Sequence, residues 1–177
     1  MNLDTLIETF PDYARDIKIN LGNVLKQPEL TEHQTWGTAL ACAIASRNPA
    51  LTRAVSAEAE MHLTPEIARA ARTAAAVMGM NNVYYRFLHL TSNDKYSSIP
   101  ARLRMQTLRS HAADHADFEL WCTAVSAINN CPACVASHEK VLRDKGMEEE
   151  KILAAIRIAS LVHAAAAVLD EQEALKQ

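Results

Sequence analysis

Long alanine-rich stretches with very little glycine are the feature that most constrains the fold of this chain. Alanine has the highest intrinsic helix propensity, and the 177 residues include only four glycines. No segment alternates polar and apolar side chains clearly enough to indicate a β-strand. We therefore expect an all-α protein. The predicted helices run approximately over Leu3 to Leu25, Glu32 to Ala45, Pro49 to Met61, Thr64 to Leu90, Pro100 to Arg109, Asp117 to Ala127, Pro132 to Lys145 and Glu148 to Ala174.

The two halves of the chain resemble each other. Sliding the sequence by about 85 residues places Trp36 over Trp121, and these are the only two tryptophans present. This register indicates an internal duplication of one helical unit. The first copy has Ser46 and Pro49 where the second has a pair of cysteines, so only the second copy would carry chemistry.

The expected domain organisation follows from this repeat. We expect one domain over residues 1–177, with a non-catalytic half at about 1–92 and a half at about 100–177 that carries the closely spaced pair Cys131 and Cys134. Polar residues from Thr91 to Asp94 and from Ser97 to Pro100 are typical of a connector between the halves.

Composition excludes several classes of partner. The formal charge of −3 offers no basic surface for nucleic acid. Mean hydropathy is −0.10, and charges interrupt the apolar runs before the roughly 20 residues that a membrane span needs. Met1 to Thr5 lack the basic and then apolar pattern of a signal peptide. We expect a cytoplasmic protein without a nucleic-acid or membrane partner.

The most informative motif is Cys131-Pro132-Ala133-Cys134, followed one helical turn later by His138. Two thiols at this spacing can close a small disulfide loop, and a histidine on the same helix face is a base within reach. In a reducing compartment such a pair indicates redox catalysis or metal binding more than a structural disulfide. The two other cysteines, Cys42 and Cys122, lie in apolar runs and are expected to be buried.

The start of a helix at this motif would favour a thiolate. Asn130 is a suitable N-cap and Pro132 suits the first turn. The helix start contributes only about 0.3–1 kcal/mol, which is less than one pKa unit, so activation would need His138 as well. Cys134 is closer to His138, whereas Cys131 is closer to the helix start. The spacing alone leaves open which thiol attacks first.

Other interpretations of the motif are weaker. A c-type haem requires histidine where Val135 stands. A structural zinc would need a fourth ligand besides the two thiols and His138, for which His111 and His115 are conceivable. An inert dithiol is the third alternative.

Glu119 has two possible roles. If the helices on either side of the cysteine turn run antiparallel, its carboxylate could face His138 and orient the imidazole. Alternatively, it is an acidic residue in the first turn of its helix, where it would stabilise the helix start. Glu139 points away from His138 on a helix and is expected to be solvated.

The chain resembles the alkyl hydroperoxide reductase AhpD family of the carboxymuconolactone decarboxylase-like superfamily. The resemblance extends over nearly the whole chain and includes the cysteine motif. The matching segments are Pro11 to Lys18, Trp36 to Thr38, Arg47 to Pro49, Met78 to Arg86, Glu119 to Trp121, Ala124 to Asn129 and Cys131 to Glu139.

The resemblance implies an all-α fold of two related helical units assembled as a homotrimer. It implies reduction of organic hydroperoxides and regeneration of the partner peroxiredoxin AhpC. Electrons would come from a dihydrolipoyl group on the acyltransferase of a 2-oxoacid dehydrogenase complex, which dihydrolipoamide dehydrogenase recharges. No bound cofactor is expected.

The resemblance also implies roles for individual residues. Cys134 would form the sulfenic acid, and Cys131 would donate a proton and then act as the resolving thiol. Glu119 and His138 would complete a proton relay. One departure is Ala133, which stands where the family has a histidine between the cysteines. The rival functions are a general protein disulfide reductase and a redox-regulated or zinc-binding interaction protein.

Overall fold

The computed structural model describes residues 2–91 and 93–176, and within them the chain is all-α, as predicted, with no strand. Met1, Ser92 and Gln177 lie outside the described residues, so the predicted connector and the outer limits of the two halves are described only in part. The helices are α1 (Leu3–Glu8), α2 (Arg15–Val24), α3 (Glu32–Ser46), α4 (Pro49–Ala59), α5 (Pro65–Thr91), α6 (Asp94–Ser97), α7 (His115–Ile128), α8 (Pro132–Asp144) and α9 (Glu149–Ala174).

Helix α3 lies at the centre of the core and packs against α4, α5, α7 and α9. Its small side chains let the neighbouring helices approach closely. The closest approach is at Gly37, where a Cβ would overlap the indole ring of the fully buried Trp121 on α7. Glycine at this position is therefore a packing requirement that joins the two halves.

Several helix ends have the causes that the sequence indicates. Thr64 precedes Pro65, the first residue of α5, and its Oγ1 accepts a hydrogen bond from the Ile67 amide at 3.3 Å. Gly146 follows α8 with a positive φ of 79°, and the Met147 amide donates to the Leu142 carbonyl at 3.0 Å. Both termini match the prediction.

The prediction of one helix from Leu3 to Leu25 is wrong. Proline has no amide hydrogen and disfavours helical backbone in the residue before it, and Pro11 accordingly separates α1 from a 3₁₀ turn at Asp12–Ala14 and from α2.

The prediction of a helix from Pro100 to Arg109 is also wrong, because only Gln106–Arg109 forms a 3₁₀ turn. Arg102 has a positive φ of 51°, and no residue of the segment is buried. Helices of this length depend on packing of an apolar face, and in this segment only Leu108, partly buried, packs against the core. The predicted connector instead contains the short helix α6.

Helix α9 contains a longer apolar stretch than we expected from the distribution of charges in the sequence. It contains a window of 18 residues with mean hydropathy 2.1, long and apolar enough to cross a membrane by length and composition alone. Here 56% of that window is buried inside the protein, where α9 packs against α2, α3 and α7. The apolar side chains of α9 thus form core.

The helix order repeats along the chain. Helices α3, α4 and α5 have 15, 11 and 27 residues, and α7, α8 and α9 have 14, 13 and 26. This order agrees with an internal duplication, which stays a prediction.

Candidate active site

The two cysteines lie at the start of α8, directly after a tight turn. Asn130 occupies the left-handed region with a φ of 52°, and Cys131 is the N-cap residue. The prediction that Asn130 caps the helix is therefore wrong by one position. Cys134 is the third helical residue, and in a capping box the side chains of the N-cap and third positions each reach the other's backbone amide, so these positions lie close together. This geometry brings the two sulfurs together.

Cys131 and Cys134 form a disulfide in the structure, with their Cα atoms 5.3 Å apart. The Cα distance lies within the ordinary range for a disulfide. Both residues are nearly inaccessible, with exposed fractions of 0% and 5%. The structure therefore represents the oxidised form of the dithiol.

Glu119 on α7 and His138 on α8 face each other beside the disulfide. The Nδ1–H of His138 donates to Oε2 of Glu119 at 2.6 Å, since a carboxylate can only accept. Their side chains are 15% and 17% exposed, so the pair is largely shielded from water. Glu119 lies in the second turn of α7, which begins at His115, and the interpretation of Glu119 as a first-turn residue is wrong.

A second imidazole approaches the same carboxylate, and sequence reasoning missed it. Nε2 of His115 lies 3.8 Å from Oε1 of Glu119, with the His115 side chain 53% exposed. The spacing of four residues on a helix was the available signal. The carboxylate therefore has a close, shielded partner in His138 and a longer, solvated one in His115.

The conceivable metal ligands do not gather around the dithiol. The ring of His111 stacks on Phe118 with centroids 3.9 Å apart, and burial lowers its pKa. Among the described residues, no group of three or more His, Cys, Asp or Glu side chains could hold a metal ion. Glu139 pairs with Arg143 at 2.6 Å and is turned away from the relay.

Helix α5 supports the turn that precedes Cys131 from behind. Nη1 of Arg86 donates to the carbonyl of Asn129 at 2.7 Å. The side-chain Nδ2 of Asn129 donates to Oδ1 of Asn82, and Nδ2 of Asn82 donates to Oγ of Ser126, both at 2.9 Å. The Ser126 carbonyl in turn accepts from the Cys131 amide at 3.1 Å. We call Asn82, Arg86, Ser126 and Asn129 the turn brace.

An open cleft of about 420 Å³ borders Cys131, and Pro132, Asn130, Ala127 and Val135 are among its other lining residues. It gives small molecules a path to the edge of the disulfide. The two remaining cysteines are remote from this chemistry. Cys42 and Cys122 are fully buried, as predicted, and burial raises the pKa of both thiols.

Comparison with known proteins places this geometry in context. Residues 95–176 match the model of the carboxymuconolactone decarboxylase family. A protein of Solibacter usitatus named alkyl hydroperoxide reductase AhpD is 59% identical over 170 residues, covering 96% of both chains. Proteins of the same name from Acidobacterium capsulatum and Koribacter versatilis are 54% and 52% identical, over 98% of this chain and 95% and 90% of theirs. With this identity along nearly its full length, the chain belongs to the alkyl hydroperoxide reductase AhpD family.

Proposed function

We propose that this protein is an alkyl hydroperoxide reductase that works through a Cys131–Cys134 dithiol and disulfide cycle. The observation that carries the proposal is the disulfide at the start of α8 beside the shielded Glu119–His138 pair. Relatives that match this chain over nearly its whole length are named after this activity.

The Glu119–His138 hydrogen bond supports a base at the dithiol. Because Nδ1 of His138 donates to Glu119, the neutral ring carries its lone pair on Nε2. Cys134 lies one helical turn before His138 on the same face of α8. The relay would take the Cys134 proton directly or through water, and the start of α8 would favour the resulting thiolate.

The chemical steps are balanced with one hydroperoxide for each dithiol. The Cys134 thiolate attacks the terminal peroxide oxygen, the O–O bond breaks, and the alkoxide leaves as the alcohol with a proton from Cys131 or the relay. Cys134 is then a sulfenic acid. The Cys131 sulfur attacks the Cys134 sulfur, water leaves, and the disulfide seen in the structure forms.

A dithiol must then return two electrons and two protons to the protein. We propose a dihydrolipoyl group as this external reductant, with the lipoyl-bearing acyltransferase of a 2-oxoacid dehydrogenase complex and dihydrolipoamide dehydrogenase as its sources. Regeneration of the peroxiredoxin AhpC, a cytoplasmic location, a homotrimer and the absence of a bound cofactor belong to the same proposal. The cleft beside Cys131 would admit the narrow end of such a dithiol.

The test begins with the fully reduced protein and one equivalent of tert-butyl hydroperoxide. We expect rapid loss of two thiols, one equivalent of alcohol, and a Cys131–Cys134 disulfide in the Asn130–Lys140 peptides that dihydrolipoamide reverses. Cys134→Ser should abolish alcohol formation, and Cys131→Ser should give one turnover and a sulfenic acid that dimedone traps. Near wild-type turnover by Cys134→Ser would contradict the proposal.

Two outcomes would favour a rival function. Faster turnover of a protein disulfide than of any hydroperoxide would indicate a general disulfide reductase. Stoichiometric zinc without turnover would indicate a metal-binding interaction protein.

A further inference from the structure

A second cavity is lined in part by the turn that precedes Cys131, at Asn129 and Asn130. It has a volume of about 330 Å³, and its walls include Arg47, Arg86, His163, Asn82, Asn129 and Asn130. Asn130 also lines the cleft at Cys131, so the two spaces share this residue of the turn. The peroxidase chemistry proposed above makes no use of this cavity.

The charge of the cavity is positive. Two arginines and one histidine line it, and no carboxylate is among the lining residues. In the part of the chain that the structure describes, neither Arg47 nor Arg86 forms an ion pair. The chain as a whole has a formal charge of −3. A local concentration of uncompensated positive charge on an acidic protein favours an anion at this place.

The hydrogen-bonding capacity is also suited to an oxyanion. Arg86 is half-buried and uses Nη1 on the Asn129 carbonyl, which leaves most of its five N–H donors for a ligand. Arg47 ends α3 and remains exposed. His163 holds Nδ1 at 3.3 Å from Ser46 Oγ. The two guanidinium groups offer the paired donors that recognise carboxylate and phosphate.

We propose that this cavity is an oxyanion-binding site, and that its ligand is the carboxylate or phosphate group of a small molecule. Arg86 would contact the anion with one part of its guanidinium group and the redox turn with another. Occupation of the site is thereby linked to the backbone that positions Cys131.

The first experiment measures binding without turnover. Calorimetric titration of the whole protein with inorganic phosphate at low ionic strength should show saturable binding, since salt at 0.1 M screens charges beyond about 10 Å. Arg47→Met and Arg86→Met should each weaken the affinity about tenfold or more, as expected for loss of a charged hydrogen bond. Arg69→Met, an exposed residue of α5 outside the cavity, removes the same charge and should change nothing.

Three results would overturn the proposal. One is the absence of phosphate binding at low ionic strength in the wild-type protein. Another is equal phosphate affinity in wild type, Arg47→Met and Arg86→Met. The third is a change of oligomeric state by light scattering in both variants with phosphate affinity unaltered, which would assign the arginines to a subunit contact.

A second experiment identifies the source of the anion, and this arm alone rests on the proposed peroxidase activity. A hydroperoxide with a free carboxylate is compared with its methyl ester. If the substrate supplies the anion, Arg47→Met should raise KM for the acid about tenfold and leave KM for the ester unchanged. Equal behaviour of acid and ester, with phosphate binding intact, identifies a free anion. If the wild-type protein turns over neither hydroperoxide but still binds phosphate, the proposed peroxidase activity is contradicted and the oxyanion site is not.

Discussion

Glu119 and His138 stand 19 residues apart in the sequence and on different helices, yet they share a hydrogen bond of 2.6 Å, one helical turn along α8 from Cys134. Replacing His138 with glutamine should lower kcat/KM for a hydroperoxide about 100-fold or more, the usual contribution of a positioned acid or base. Glu119→Gln should lower it about 10- to 100-fold, because it removes the charged partner of the imidazole. Steady-state kinetics across pH measure both effects.

His115 provides the matched control for this relay. Its 3.8 Å approach to Glu119 is largely solvated, and exposed ion pairs contribute about 0–1 kcal/mol. His115→Gln should therefore change kcat/KM less than about fivefold. A loss as large as that of His138→Gln would show that the relay runs through both imidazoles.

Native thiol counting should distinguish the redox pair from the core cysteines. Burial raises the pKa of Cys42 and Cys122 and keeps both thiols protonated, whereas Cys131, although equally buried in the oxidised form, borders the open cleft. The reduced native protein should react with two equivalents of iodoacetamide at pH 8 within the time in which the denatured protein reacts with four. Peptide mapping should locate the first two labels on Cys131 and Cys134. Labelling of Cys122 at the same rate would contradict the burial seen here.

The contact between Gly37 and Trp121 predicts opposite effects for two identical substitutions. Gly37→Ala forces a Cβ into the indole ring and should lower the free energy of unfolding by about 1–3 kcal/mol. Gly79→Ala, in the interior of α5 with no heavy atom within 4 Å of the new Cβ, should raise it by about 0.5–1 kcal/mol. Chemical denaturation of both variants measures the difference. A stabilised Gly37→Ala protein would mean that α3 and α7 can move apart at little cost.

Asp117 should make folding stability depend on pH. Burial raises the pKa of this carboxyl, although Gln34 donates a hydrogen bond to it at 2.8 Å. The folded protein then holds the proton more tightly than the unfolded chain, so the stability associated with this group is present at low pH. That stability is lost as the pH rises from the ordinary value near 4 through the raised value.

The variant Asp117→Asn checks this sign because its neutral amide oxygen can still accept from Gln34. Relative to wild type, the variant should gain free energy of unfolding as the pH rises above about 4. If the free energy of unfolding of the wild type instead rose relative to that of the variant with increasing pH, the predicted direction would be wrong.

Most of the helices and several of their ends could be predicted from local residue types. Alanine content, Pro65 after Thr64, and Gly146 after α8 predicted helices and ends that the structure confirms. The segment from Pro100 to Arg109 failed because helix propensity says nothing about whether a core lies alongside. Pro11, by contrast, breaks the helix by local chemistry alone, because proline lacks an amide hydrogen and restricts the residue before it.

The candidate site divides in the same way. The sequence could predict that Cys131, Cys134 and His138 lie close together, because all three belong to the N-cap and first two turns of one helix. The Glu119 contact depended on a helix pairing that the sequence offered only conditionally. Asn82 and Arg86 contact the turn from positions 43 to 47 residues earlier in the sequence. Hydrophobic periodicity cannot predict such long-range polar contacts.

The turn brace has a consequence for how this chain can be divided. Residues 95–176, which match the family model, include both cysteines, Glu119 and His138. Arg86, Asn82 and the glycine beneath Trp121 all belong to the other half. A chimera joining halves from two relatives would inherit its reactive groups from one parent and their scaffold from the other. The half that lacks the redox pair thus acts as a built-in support, and exchanging that half alone should disturb the turn before Cys131.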